Sequence, residues 1–158
     1  MEVGSIYSHE NFRFDNGNVV KKLLIVLSTA NKERKTNFLV CVTTSKDHPK
    51  SYRTTHKDPG CYGGGETERQ QHYYFFKVHA NVFFNVDTWV MFDKVWEFTE
   101  ENFLKDASGV PATKVGALTI EQTNAVLNCV LKSYDIMNRH ALQIKTDRKE
   151  AAKPKSVK

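Results

Sequence analysis

Apolar and polar residues alternate along most of this chain in short runs that are typical of β-strands. Val, Ile, Phe, Tyr and Trp concentrate in segments that polar or glycine-containing turns separate, and this pattern predicts five or six short strands. The predicted strands cover residues 4–14, 19–28, 37–45, 72–79, 83–98 and 114–119. Between the first two, Asn16-Gly17 predicts a tight turn because both residues tolerate positive φ. The chain is therefore expected to open with a β-hairpin.

Two of these segments contain unbroken apolar runs, Leu23–Leu27 and Phe38–Val42. Central strands that are covered on both faces have this pattern. The cover predicted for one face is an amphipathic helix over residues 120–138, where apolar residues recur at steps of three and four. Thr119 and Gln122 form a capping-box pattern at its start. Strands packed against a late helix predict an α+β fold.

Length and composition indicate one folded unit. A chain of 158 residues with 40% apolar residues can bury a sizeable core, and the predicted domain covers residues 1–144. The formal net charge is +5, of which +4 falls within residues 145–158. This basic segment has almost no large apolar side chains, so we expect a disordered tail. The overall charge therefore says little about binding to nucleic acid.

The expected location is the cytoplasm. The chain has neither the apolar core of a signal peptide nor a run of the ~18 apolar residues that a membrane span needs. Its three cysteines, Cys41, Cys61 and Cys129, are odd in number and far apart. We therefore expect small buried hydrophobic residues rather than a disulfide framework, which suits a reducing compartment.

Residues 46–71 form a long polar segment that is rich in Gly, Pro, hydroxyl groups and histidine. Loops of more than ~12 residues in a compact domain are usually functional or disordered, and a functional role is favoured because this loop follows the third strand. Its histidines and Cys61 lack the close pairing of zinc ligands. We therefore expect no metal and no cofactor.

Phosphate chemistry fits the polar groups at two strand ends. Lys22 precedes the apolar run of the second strand, and Thr43 and Thr44 end the third. If these strands are antiparallel neighbours, Lys22 and Thr43 lie at the same end of the sheet. Metal-free RNA cleavage needs groups that move protons, and cations or hydroxyls that stabilise the phosphorane. Lysine and threonine are also common at strand ends for structural reasons, so a purely structural role stays open.

Four stretches, in order along the chain, resemble the MazF/PemK-like toxins of bacterial toxin–antitoxin systems. They are GSIY, KKLLIVLS, NFLVCVTTS and KVGALTIEQTNAVLNCVLKSY, and together they span roughly residues 4–134. The resemblance implies a compact SH3-like β-barrel with a C-terminal amphipathic helix, usually a homodimer. It further implies a metal-independent endoribonuclease that cleaves single-stranded RNA and is held in check by a cognate antitoxin protein.

The same resemblance suggests which residues act. The catalytic Arg of the family falls on Lys22, and the catalytic Thr falls on Thr43, or on Thr44 if the register shifts by one residue. The Arg-Pro of the family is absent here, and lysine keeps the charge of arginine without its planar fork. The remaining polar candidates, which would bind RNA, are Lys21, Ser45, Lys46, Arg53 and His56.

Two alternatives from other functional classes stay open. One is a non-catalytic module that binds RNA or protein on the same fold. The other is a toxin of the CcdB type, which shares the architecture and acts on a topoisomerase. The aromatic segment that begins at Tyr73 could stack bases, although core and dimer packing is the favoured role for it.

Overall fold

The computed structural model describes residues 2–45, 58–62, 73–77, 80, 84, 86–133 and 136–153. Within these ranges the chain forms an antiparallel β-sheet and a few helices, which confirms the α+β class. None of the helices in these ranges is long and apolar enough to cross a membrane. The elements are β1 (Ser5–Arg13), β2 (Val19–Ser28), β3 (Phe38–Thr44), β4 (Gly60–Tyr62), β5 (Tyr73–Phe76), β6 (Thr88–Phe98), α1 (Glu100–Leu104), β7 (Thr113–Ala117), α2 (Ile120–Val130) and α3 (Asn138–Ala152).

The seven described strands form one sheet in the order β4-β5-β6-β3-β2-β1-β7, and all neighbours are antiparallel. β4 and β7 are its edges, so the sheet is open in the part of the chain that the structure describes. The closed SH3-like barrel is therefore not seen among these residues. The predicted hairpin is confirmed, with Gly17 at φ 89° and its N–H donating to the Phe14 carbonyl at 2.9 Å.

Both faces of the central strands are covered, as their apolar runs predict. Every residue of β3 is buried. One face, which we call the helix-covered face, carries Ile25 and Cys41 and packs against Leu127 of α2. The opposite face, which we call the aromatic face, joins apolar strand residues to a cluster of rings. The aromatic face consists of Tyr7, Phe12, Leu24, Val26, Phe38, Val40, Val42 and Phe103, with Phe14, Trp96 and Phe98 packed against them.

The single helix predicted over residues 120–138 is wrong in its length. Its start is confirmed, because Thr119 and Gln122 form the capping box in both directions. However, α2 ends at Val130, and the backbone N–H groups of the next turn bond three residues back, at 3.0–3.1 Å, in the tighter pattern that closes a helix. Ile120, the first residue of the predicted stripe, is 82% exposed. The apolar spacing that predicted one helix therefore continues past the end of α2.

The disordered tail predicted for residues 145–158 is wrong for residues 145–152, which belong to α3. The helix packs its buried Ile144 into the core of the helix-covered face. Asp147 accepts hydrogen bonds from the hydroxyl of Ser28 and, at 3.2 Å, from Nη1 of Arg34. The composition of this segment did not predict α3. The segment consists mostly of polar residues that favour helices, and one apolar side chain and a few polar contacts attach it to the rest of the fold. Residues 154–158 lie outside the described residues.

The expectation for the cysteines is wrong for two of the three. Cys61 and Cys129 form a disulfide with Cα atoms 5.5 Å apart, and only Cys41 is a buried free thiol. The bond joins β4 to α2, because pairing with β5 brings β4 beside that helix. β4 itself lies inside the predicted loop 46–71. The cysteines therefore give no argument for a reducing compartment.

Candidate functional site

An open groove of about 430 Å³ lies on the aromatic face, where β2, β3 and β6 meet the β1–β2 turn. We call it the Lys22 groove. Its walls include two ammonium groups, two threonine residues, two carboxylates and two aromatic rings. They belong to Lys22, Lys94, Thr43, Thr44, Asp15, Asp93, Phe14 and Trp96.

The β2–β3 register decides which threonine shares a face with Lys22. Leu24 pairs with Val42, and the same antiparallel register extended by two residues would put Lys22 level with Thr44. Successive side chains of a strand point to opposite faces, so the side chain of Thr43 lies on the helix-covered face. Its hydroxyl donates a hydrogen bond to the Leu23 carbonyl at 3.0 Å. Lys22 and both threonines therefore lie at one end of the sheet, with Thr44 on the same face as Lys22.

A smaller groove of about 230 Å³ lies at the same sheet end and receives two of the proposed RNA-binding residues, Lys21 and Ser45. Lys22, Thr43 and Thr44 also line it. Lys21 is exposed and forms an ion pair with Glu10 at 3.5 Å. The other three RNA-binding candidates, Lys46, Arg53 and His56, lie outside the described residues.

A bulge in β6 builds the far wall of the Lys22 groove. Val42 pairs with Met91, but Val40 pairs with Trp96, so β6 carries extra residues between these two pairs. The bulge turns Trp96 onto the same face as Met91 and places Asp93 at the groove. Bulges are frequent beside functional sites because they re-aim side chains.

Sequence reasoning missed Phe14, Asp93, Lys94 and Trp96. A signal for the last three was present, because Asp93-Lys94 interrupts an otherwise apolar strand between two aromatic residues. Such an interruption is typical of a bulge, but its position relative to β3 depends on pairing between distant segments.

Both lysines of the groove lie near aromatic rings. Nζ of Lys94 is 3.8 Å from the centroid of the Trp96 ring and also pairs with the carboxylate of Asp15. Nζ of Lys22 is 6.0 Å from the centroid of the Phe14 ring. Ring faces of this kind stack bases, and ammonium groups beside them bind phosphate. The groove therefore combines aromatic rings with positive charge.

Comparisons with known proteins leave the function to be argued from these residues. No protein-family model, curated protein or solved structure matches the chain. The described residues contain no group of three or more His, Cys, Asp or Glu side chains that could hold a metal ion. His48 and His56, the histidines of the long polar segment 46–71, lie outside the described residues.

Proposed function

We propose that the chain is a metal-independent endoribonuclease that binds single-stranded RNA in the Lys22 groove and cleaves it there. The observation that carries this proposal is that Lys22 and Thr44 line the same open groove on one face of the sheet. A phosphodiester held between an ammonium and a hydroxyl group has its negative charge compensated from two sides.

The groove groups have distinct roles in the proposed reaction. The carboxylate of Asp93 takes the proton of the ribose 2′-hydroxyl, whose oxygen then forms a bond to phosphorus. Lys22 and Thr44 stabilise the charged phosphorane. The bond from phosphorus to the 5′-oxygen breaks, and that oxygen takes a proton from the Lys22 ammonium. The products are a 2′,3′-cyclic phosphate and a 5′-hydroxyl end.

The aromatic rings support the proposal that the bound RNA is single-stranded. Trp96 and Phe14 are half-buried, with ring centroids 6.0 Å apart and planes at 77°. An unpaired base can stack on such a ring, whereas a base inside a duplex is already stacked on its neighbours.

The test is cleavage of a single-stranded RNA by the purified chain in the presence of a chelator. We expect cyclic-phosphate ends from the parent and a rate at least about a hundredfold lower for Lys22→Ala and Asp93→Asn. Lys145→Ala, which removes one exposed positive charge from α3, is the matched control and should cleave like the parent. A parent chain without cleavage refutes the nuclease, and full activity of both groove variants refutes the choice of residues.

A second candidate is a module that binds single-stranded RNA in the same groove without cleaving it. It is favoured by the shielding of both hydroxyls, since Thr43 donates to the Leu23 carbonyl and Thr44 is only 8% exposed. Binding of RNA by the parent, lost in Trp96→Ala, with no cleavage under any metal-free condition, would select this candidate.

The toxin–antitoxin setting belongs to the same proposal and rests on the resemblance alone, as do the SH3-like barrel and the homodimer. An acidic, extended antitoxin segment suits this groove because it would pair with Lys22 and compete with RNA. Inhibition of a DNA topoisomerase by the chain, with no effect on RNA, would favour the CcdB-type alternative instead.

A further inference from the structure

A second cavity, of about 440 Å³, lies on the aromatic face beyond the Lys22 groove, and the proposed cleavage does not use it. It lies between the end of β1, the end of β6 and α1. We call it the His9 pocket. Its walls include the imidazole of His9, two basic side chains and two aromatic rings, from Arg13, Lys105, Phe12 and Phe98.

The imidazole of His9 is held in one tautomer. Its Nε2 lies 2.8 Å from the Phe103 carbonyl, which only accepts hydrogen bonds, so Nε2 carries the proton. Nδ1 is then an acceptor, and no hydrogen bond to it is found in the part of the chain that the structure describes. The residue is only 2% exposed. A hydrogen-bond donor on a ligand in the pocket would satisfy this acceptor.

The two basic side chains of the pocket are exposed and make no ion pair within the described ranges. Two carboxylates also line the pocket. The oxygens of Asp106 are occupied by the N–H groups of Asn11, Ser108 and Val110, at 2.8–3.1 Å. The carboxylate of Glu101 is exposed on the rim. Arg13 and Lys105 are thus the charged groups left to meet an anion.

Aromatic rings connect the His9 pocket to the Lys22 groove. Phe12, in the pocket wall, lies 4.9 Å from the Trp96 ring of the groove and 6.3 Å from Phe98. The Trp96 and Phe98 rings are nearly parallel, with an angle of 9° and centroids 6.5 Å apart. In the β1–β2 ladder, moreover, His9 pairs directly with Lys22. Side chains paired in this way share a face, so the two cavities are adjoining parts of one surface.

We propose that the His9 pocket is a second nucleotide subsite for the same RNA strand. Arg13 and Lys105 bind a phosphate there, a base packs on Phe98, and the ribose 2′-hydroxyl donates a hydrogen bond to Nδ1 of His9. This inference rests on the proposed function, and it adds a substrate preference for ribose over deoxyribose at this subsite.

Binding of a fluorescent single-stranded RNA, and of the DNA of the same sequence, tests the subsite. We expect Arg13→Ala and Lys105→Ala each to weaken binding of a long RNA about tenfold, because each loses a charge-assisted contact. Neither should change the binding of a dinucleotide that fills only the Lys22 groove. Lys145→Ala is the control for charge and should match the parent.

His9→Phe keeps a ring of similar size and removes both nitrogens, so it should reduce the preference for RNA over DNA by a similar factor. If this variant does not fold, RNA binding by Arg13→Ala and Lys105→Ala decides whether the subsite exists. Parent-like binding of long RNA by those two variants, while Lys22→Ala weakens it, overturns the subsite and leaves the proposed function standing. A parent chain that binds no RNA overturns both.

Discussion

Thr43 and Thr44 differ in environment although they are adjacent and chemically identical. Both residues line the Lys22 groove, but the hydroxyl of Thr43 donates a hydrogen bond to the Leu23 carbonyl, whereas strand alternation puts the side chain of Thr44 on the same face as Val42. The period of a strand is two, so a slip of one residue exchanges the roles of the two side chains. Sequence reasoning kept both candidates because the pattern of apolar residues does not set this register.

Replacing each threonine by the isosteric valine separates the two roles. We expect Thr43→Val to lower the free energy of unfolding by about 1 kcal/mol, because the Leu23 carbonyl loses its donor. RNA cleavage should change little. Thr44→Val should instead lower the cleavage rate strongly. Urea unfolding and the cleavage assay measure the two effects, and loss of cleavage in a stable Thr43→Val protein would assign the reaction to Thr43.

His9 makes the stability of the fold depend on pH. Burial lowers the pKa of His9 below its ordinary value of 6.5, although the hydrogen bond to Phe103 and the charge of Asp106 act to raise the pKa. The unfolded chain therefore takes up this proton at a higher pH than the folded chain does. This contribution to stability is full above pH 6.5 and is lost as the pH falls through the folded-state pKa.

We expect the free energy of unfolding of the parent to decline more steeply below pH 6.5 than that of His9→Gln, which carries no charge there. Urea unfolding at a series of pH values on both sides of 6.5 measures this difference. All other histidines are present in both proteins, so the difference between the two curves isolates His9. Parallel curves would contradict the prediction.

At the scale of elements, the disulfide holds a strand of three residues in place. β4 pairs only with β5 among the described strands, and Cys61 ties it to the buried Cys129 of α2. Pairing of such a short strand contributes little by itself. The sequence separation of 68 residues concealed this bond, because sheet topology alone brings the two cysteines together.

Removing the disulfide should destabilise the chain. A cross-link over 68 residues stabilises the folded state by about 4 kcal/mol in a chain-entropy estimate, and measured values are typically about 2–4 kcal/mol. We expect a loss in this range for the double variant Cys61→Ala, Cys129→Ala, measured by urea unfolding. Thiol titration of the denatured parent should find one thiol before reduction and three afterwards. Three thiols before reduction would show that the bond is absent.

Over the whole described part of the molecule, positive charge lies on both sides of the sheet. Much of the net charge of +5 lies in the C-terminal segment. α3, which contains part of that segment, packs on the helix-covered face through Ile144. The Lys22 groove and the His9 pocket lie on the aromatic face. We therefore expect RNA binding to depend more on where the positive charge lies than on the net charge of the chain.

The salt dependence of RNA affinity distinguishes the two sides of the sheet. Each ammonium that neutralises a phosphate of single-stranded RNA contributes about 0.7 to the slope of log affinity against log salt concentration. We expect Lys22→Ala to reduce that slope by about this amount, and Lys145→Ala on α3 to leave it unchanged. Fluorescence anisotropy titrations at several salt concentrations measure the slopes. Equal slopes for both variants would mean that binding is spread over the whole surface.

Local features of the chain were predictable because they depend on residues close together in sequence. Asn16-Gly17 predicted the turn, Thr119 and Gln122 the start of α2, and the apolar runs the two central strands. The strand pattern was sufficient for the α+β class, since a sheet with one apolar helix above it has few other arrangements.

The sequence by itself thus determined the strands other than β4, the first hairpin, one helix start and the sheet end that carries Lys22 and the threonines. Tertiary structure alone decided which threonine faces Lys22, where β6 bulges, that Cys61 meets Cys129, and that His9 lies opposite Lys22. The physical reason is that turns and caps are made within a few residues, whereas register and side-chain meeting points follow from pairing between segments far apart along the chain.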